Sequence, residues 1–118
     1  MRIPIITLTV IIASVLISVA LPKLLGQGEM RKRMAHIGVS AGLTRTIGAL
    51  EVAGIAGLLL GLLWWPLGVA AAVGLTLLLI GAAVYHLRAK DPVSMVAVPV
   101  AFALAAAALA VLHILHNN

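Results

Sequence analysis

Cysteine is missing from this chain. That excludes disulfides, thiol nucleophiles, thiolate-held metals and CxxC redox couples from anything it does by itself, and it leaves the compartment open. Acids are nearly missing too: Glu29, Glu51 and Asp91 are the only carboxylate side chains, against eight lysines and arginines. Charged residues make up 9% of the sequence, where a soluble domain carries about 25%, so an ordinary water-soluble domain is excluded. Aromatic residues are at 3%, which leaves Leu, Val, Ile and Ala to build the interior. The net charge of +5 would suggest nucleic acid in a soluble protein. Here the basic residues flank apolar runs, the pattern of topology signals and lipid-headgroup contacts, so no nucleic-acid partner is expected.

What remains is 64% hydrophobic, with mean hydropathy +1.23. Residues 3–21, 47–65, 67–87 and 93–114 each meet the requirement of about 20 apolar residues for a ~30 Å hydrocarbon core. Backbone groups in lipid must be satisfied within the segment, so each is a helix. The expectation is an all-α integral membrane four-helix bundle, one transmembrane domain over residues 1–118. Arg2, the first apolar run and Ser18-Val19-Ala20 resemble a cleavable leader, but the run is long for one and reads as a retained span. Pro4 falls in a first turn, where its missing N–H costs little. Trp64-Trp65-Pro66 predicts a tight interfacial turn, Asp91-Pro92 a second turn, and Pro99 a bend inside the fourth span.

The only long connection runs from Pro22 to Thr46. Within it Met30, Met34, Ile37 and Ala41 recur at helical spacing opposite Arg31, Lys32, Arg33, His36 and Ser40. This predicts a short interfacial amphipathic helix over about 29–43, touching membrane lipid through Arg31, Lys32 and Arg33. Four spans put seven basic residues (Lys23, Arg31, Lys32, Arg33, Arg45, Arg88 and Lys90) on one side and Arg2 on the other. The positive-inside rule then predicts a multi-pass protein of the cell membrane with both termini non-cytoplasmic.

Glu51 stands out because it is the single ionisable residue in its span. A carboxylate at bilayer depth costs roughly 2.5–3.5 kcal/mol on insertion scales, so it marks a candidate functional site. The topology brings Lys23, Arg45, Tyr85, His86 and Arg88 toward the same membrane face. The expectation is a polar cluster at one mouth of the bundle, with Glu51 bonded to Lys23, Arg45, His86 or Arg88. Two readings stay open: the pair merely fixes helix register, or it binds a ligand or proton. Gly54, Gly57 and Gly61 stripe the second span, and Gly74 and Gly81 the third; both are read as helix-packing faces, within the bundle or in a homodimer. His113 and His116 are expected to be exposed or interfacial. No metal site is expected, because an i, i+3 histidine pair without a third ligand is weak.

Three motifs together resemble the DoxX-like family of small membrane proteins. Lys23-Leu24 followed by Gly26 closes the first span. Gly48-Ala49-Leu50-Glu51-Val52-Ala53-Gly54 opens the second and continues to Gly57 and Gly61. Gly81-Ala82-Ala83-Val84-Tyr85-His86-Leu87-Arg88 closes the third, ahead of Asp91. The likeness covers nearly the whole chain, and Pro22 departs from the small residue usual before that lysine. It implies a four-helix membrane fold with Lys23, Glu51, His86 and Arg88 as the positions to watch. Relatives are functionally scattered: some look like membrane subunits of thiosulfate:quinone oxidoreductases, some associate with oxidative-stress enzymes, some act as assembly factors. The function expected is a non-catalytic accessory or assembly subunit of a membrane complex, bound to another membrane protein. It needs no cofactor, although a quinone stays open as a ligand. The alternatives are a quinone-linked redox subunit and a small proton-coupled transporter. Against the transporter, such small exporters carry their lone Glu in the first helix and have aromatic-rich pockets, whereas Glu51 lies in the second span of a chain with few aromatics.

Overall fold

The computed structural model describes residues 2–118 and contains five helices: α1 (Arg2–Leu25), α2 (Gly28–His36), α3 (Ala41–Leu60), α4 (Trp65–Arg88) and α5 (Val93–His116). No strand occurs among the described residues. All but α2 are long and apolar enough to cross a membrane, which makes this a multi-pass membrane protein. The four spans close a ring in the order α1–α3–α4–α5, and α2 lies against α3 and α1.

The core is a seam of Ile5, Ile12 and Leu16 from α1, Ile55 and Leu58 from α3, Leu75 from α4 and Leu109 from α5. Ala20, Ala72 and Ala106 are fully buried among them. Small side chains at the crossings allow close dispersion contact, the main attraction between helices where lipid removes the hydrophobic drive. The outward faces are equally apolar: Leu63, Val93, Ile3 and Leu104 are exposed. In water such a surface would be a liability, and in lipid it is solvated. A smaller cluster seats α2 on the bundle, where Met30, Met34 and Val39 pack with Ile37, Ile47 and Tyr85. Methionine suits this irregular joint because its side chain adapts to shape.

The amphipathic helix is shorter than its pattern. It stops at His36 rather than near residue 43, and the second span begins at Ala41 rather than 47. Gly38 turns left-handed at φ 85° and ends α2. Ser40 then starts α3: its Oγ accepts from the Leu43 amide at 3.2 Å, satisfying one of the free N–H groups of the first turn. Ala41 continues the Met30–Met34–Ile37 stripe in sequence only, since it belongs to α3 and is exposed. Trp65 is already helical, with Pro66 in the first turn of α4. Pro22 and Pro99 both lie inside helices, and α1 runs through Pro22 to Leu25.

The packing glycines divide. A methyl at Gly54 would come within 2.6 Å of Leu75, and one at Gly57 within 2.7 Å of Ala71. Gly61 crosses directly over Gly68. Gly74 and Gly81 behave otherwise: nothing lies within 4 Å of the space a side chain would fill, so neither packs inside the bundle. Their stripe reads like the other in sequence, but α4 turns it away from α3 and α5.

Candidate functional site

Gly48 begins the site. A Cβ there would meet the Leu24 amide nitrogen at 2.6 Å and the Ala20 carbonyl at 3.0 Å, so α1 and α3 touch backbone to backbone. Glu51 stands three residues on, along the same face of α3. The close approach delivers Lys23, and its Nζ donates to Glu51 Oε1 at 2.6 Å. The Glu51 side chain is 7% exposed and that of Lys23 14%. The second carboxylate oxygen, Oε2, is buried and has no hydrogen-bond partner. The ion pair therefore satisfies the carboxylate on one side only.

Lys23 reaches this position because α1 ends one turn later in a left-handed stop. Gly26 adopts φ 68°, and the Gln27 amide folds back to the Pro22 carbonyl at 3.1 Å. The guanidinium of Arg45 packs over Gly26, with Nη2 3.0 Å from where a Cβ would sit. Arg45 therefore borders the site from an exposed position and makes no ion pair with Glu51.

Of the four partners expected for Glu51, Lys23 makes the bond and His86 turns elsewhere. Its Nδ1–H donates to Asp91 Oδ2 at 2.6 Å, and His36 Nε2–H donates to Asp91 Oδ1 at 2.8 Å. A carboxylate only accepts, so the facing ring nitrogens carry the protons. These two bonds, His86 first, hold the Asp91 carboxyl below the usual carboxylate range. The turn geometry explains the pairing. Lys90 takes φ 57°, unusual for a residue with a side chain, and the Asp91 amide returns to the His86 carbonyl at 3.0 Å. That fold-back stands Asp91 over His86 and within reach of His36 at the end of α2. A clasp thus ties α2 to the α4–α5 turn.

Of the remaining candidates, Tyr85 is half-buried against the α2 methionine cluster. Arg88 is exposed and makes no ion pair among the described residues. Arg31, Lys32 and Arg33 are exposed on α2, opposite its buried Met30 and Met34. The expected single cluster is two separate units, Lys23–Glu51 and His86–Asp91–His36. Sequence reasoning missed Gly48 as a packing position, and it missed the partnership of Asp91 with His36. It also misplaced His113, which is 1% exposed rather than interfacial. No group of three or more metal-ligating side chains is assembled among the described residues.

The profile of the DoxX-like family matches residues 7–109. No curated protein and no solved structure gives a match.

Proposed function

The chain belongs to the DoxX-like family, and from that premise we propose that it is a non-catalytic accessory or assembly subunit of a membrane complex. Its Lys23–Glu51 pair holds the helix register that the partner recognises. The observation carrying this reading is the closed ion pair: the one carboxylate at bilayer depth is neutralised from within, by a lysine 2.6 Å away. The exposed Arg31, Lys32 and Arg33 on α2 suit anionic headgroups. With seven basic residues on that face against Arg2 on the other, the loops are cytoplasmic and both termini lie outside the cell membrane. Gly74 and Gly81 leave a lane on α4 for a helix of the partner, or of a second copy.

The test is gentle detergent extraction of the wild-type protein and of Glu51→Gln, followed by identification of co-purifying proteins. Both are also assayed in liposomes for quinone reduction and for proton-driven efflux of lipophilic cations. The expected result is a stoichiometric membrane-protein partner, reduced in Glu51→Gln, with both assays silent. An activity that titrates near neutrality and vanishes in a well-folded Glu51→Gln variant overturns the proposal. A reporter fused at Asn118 checks topology, and a cytoplasmic signal rejects it.

One observation favours the quinone-linked reading as the second choice, the unpartnered Glu51 Oε2. A quinone carbonyl needs a donor, and an ionised carboxylate is an acceptor only. That reading therefore requires Glu51 to take up a proton and loosen from Lys23.

A further inference from the structure

The opposite mouth of the bundle carries no acidic side chain and gathers the remaining cationic candidates. A cleft of about 230 Å³ opens there, lined by Arg2, Leu62, Trp65, His113, His116 and Asn117 among others. Arg2 Nη1 donates to the Leu62 carbonyl at 3.1 Å, which fixes one edge of the guanidinium and leaves its other donors free. His113 is 1% exposed, and its Nε2 is buried with no hydrogen-bond partner. The ring is held there by a missing side chain: a Cβ on Gly68 would come within 2.8 Å of that nitrogen. Nε2 is enclosed against Gly68, so His113 forms a wall of the cleft, and the donors an anion can reach there are those of the exposed Arg2 and His116.

A second cleft supplies the other half of a ligand. It holds about 320 Å³ between α4 and α5, lined by Val69, Val73, Leu77, Ala110, Val111 and Ile114 among others. The two clefts follow one another along the same helices. Trp65 stands one turn before Val69 on α4, and Asn117 caps α5 about two turns beyond Ala110. An ionic head at the polar cleft therefore places an attached chain in the apolar groove.

We propose that this mouth binds an anionic lipid, its phosphate held by Arg2 with His116 and its acyl chain laid along the α4–α5 groove. The site is separate from the Lys23–Glu51 pair and does not depend on the accessory reading. Phosphate is the chemistry recognised, and its source is either a lipid or a free ion; the groove selects the lipid.

The test uses the full chain in nanodiscs containing phosphatidic acid with a photoactivatable diazirine in its acyl chain. A phosphatidylcholine probe of the same chain serves as reference, and crosslinks are mapped by mass spectrometry. Label from phosphatidic acid should concentrate on the groove walls, residues 69–77 and 107–114. Arg2→Gln should lower it about tenfold, as expected for one charge-assisted hydrogen bond. Val73→Trp, which changes a lipid-facing wall and no head contact, should lower it as well. Replacing Arg31, Lys32 and Arg33 by Gln should leave it unchanged. Equal labelling by the two probes overturns the proposal, as does labelling indifferent to both Arg2→Gln and Val73→Trp. Binding of millimolar inorganic phosphate at Arg2 without selective labelling by phosphatidic acid would assign the cleft to the free ion and overturn the lipid.

Discussion

At the mouth where α1 and α4 end, charged side chains are paired across the fold: Lys23 with Glu51, and His86 and His36 with Asp91. At the mouth where α1 begins and α5 ends, Arg2 holds only a carbonyl and His113 Nε2 holds nothing. The first mouth is built by three left-handed stops, at Gly26, Gly38 and Lys90, each folding the chain back over its own helix end. The second is built by a glycine crossing, Gly61 over Gly68, which makes room for an imidazole. Turn geometry brings charges together; close backbone packing encloses a polar ring alone. The first mouth spends its charges on one another and leaves a single carboxylate oxygen over, Glu51 Oε2, whereas the second keeps the outward donors of Arg2.

The largest effect should come from breaking the closed mouth. Glu51→Gln strands Lys23 and should cost roughly 3–5 kcal/mol in detergent unfolding, the usual penalty for half of a buried pair. Glu51→Gln combined with Lys23→Met should recover most of that loss, because no charge is left unpaired. If Glu51→Gln costs no more than the same change at exposed Glu29, the pair has no structural weight.

Next comes the open mouth. Gly68→Ala forces a methyl toward His113 and should destabilise by about 1–3 kcal/mol through overpacking. The contrast is Gly74→Ala, where nothing lies within 4 Å. That change should be neutral or stabilising by up to about 1 kcal/mol, from helix propensity alone. Equal melting shifts for the two alanines would remove the distinction between enclosed and open glycines.

The smallest effect concerns pH. Asp91 has a lowered folded-state pKa, while the unfolded chain keeps the ordinary value of about 3.9. Its contribution is therefore complete above that ordinary value and is lost as pH falls through the lowered one. Amide exchange in α2 should accelerate in that acidic window, and Asp91→Asn should make α2 exchange rapidly at every pH. An α2 whose protection ignores both acid and Asp91→Asn is not held by the clasp.

The four spans were legible because membrane solvation imposes long apolar runs. That Glu51 needs a cationic partner was legible because an ionisable residue in such a run cannot stay unpaired, but Lys23 was one of four candidates until the Gly48 contact brought α1 against α3. The end of α2 was not read, although Gly38 and Ser40 carry its signals, because the apolar stripe continues across the break. The clasp was hidden for a different reason: His36 and Asp91 are far apart in the chain, and a left-handed Lys90 brings them together where glycine is the residue normally expected. His113 did carry a signal, since it continues the buried stripe of Pro99, Ala103, Ala106 and Ala110 at helical spacing. Its polar chemistry made the surface the more natural assignment.

The Lys23–Glu51 pair also bears on the order in which the protein is made. Of the four spans α3 is the least apolar, and it alone carries a carboxylate at depth. On leaving the translocation channel by itself it faces the insertion cost of that charge. Helix α1 is synthesised earlier and carries Lys23 near its end, at the same mouth, so it presents a counter-ion before Glu51 emerges. Membrane entry of α3 is thereby coupled to the prior placement of α1. Removing Lys23 should show itself first in nascent chains, as α3 segments left on the wrong side of the bilayer.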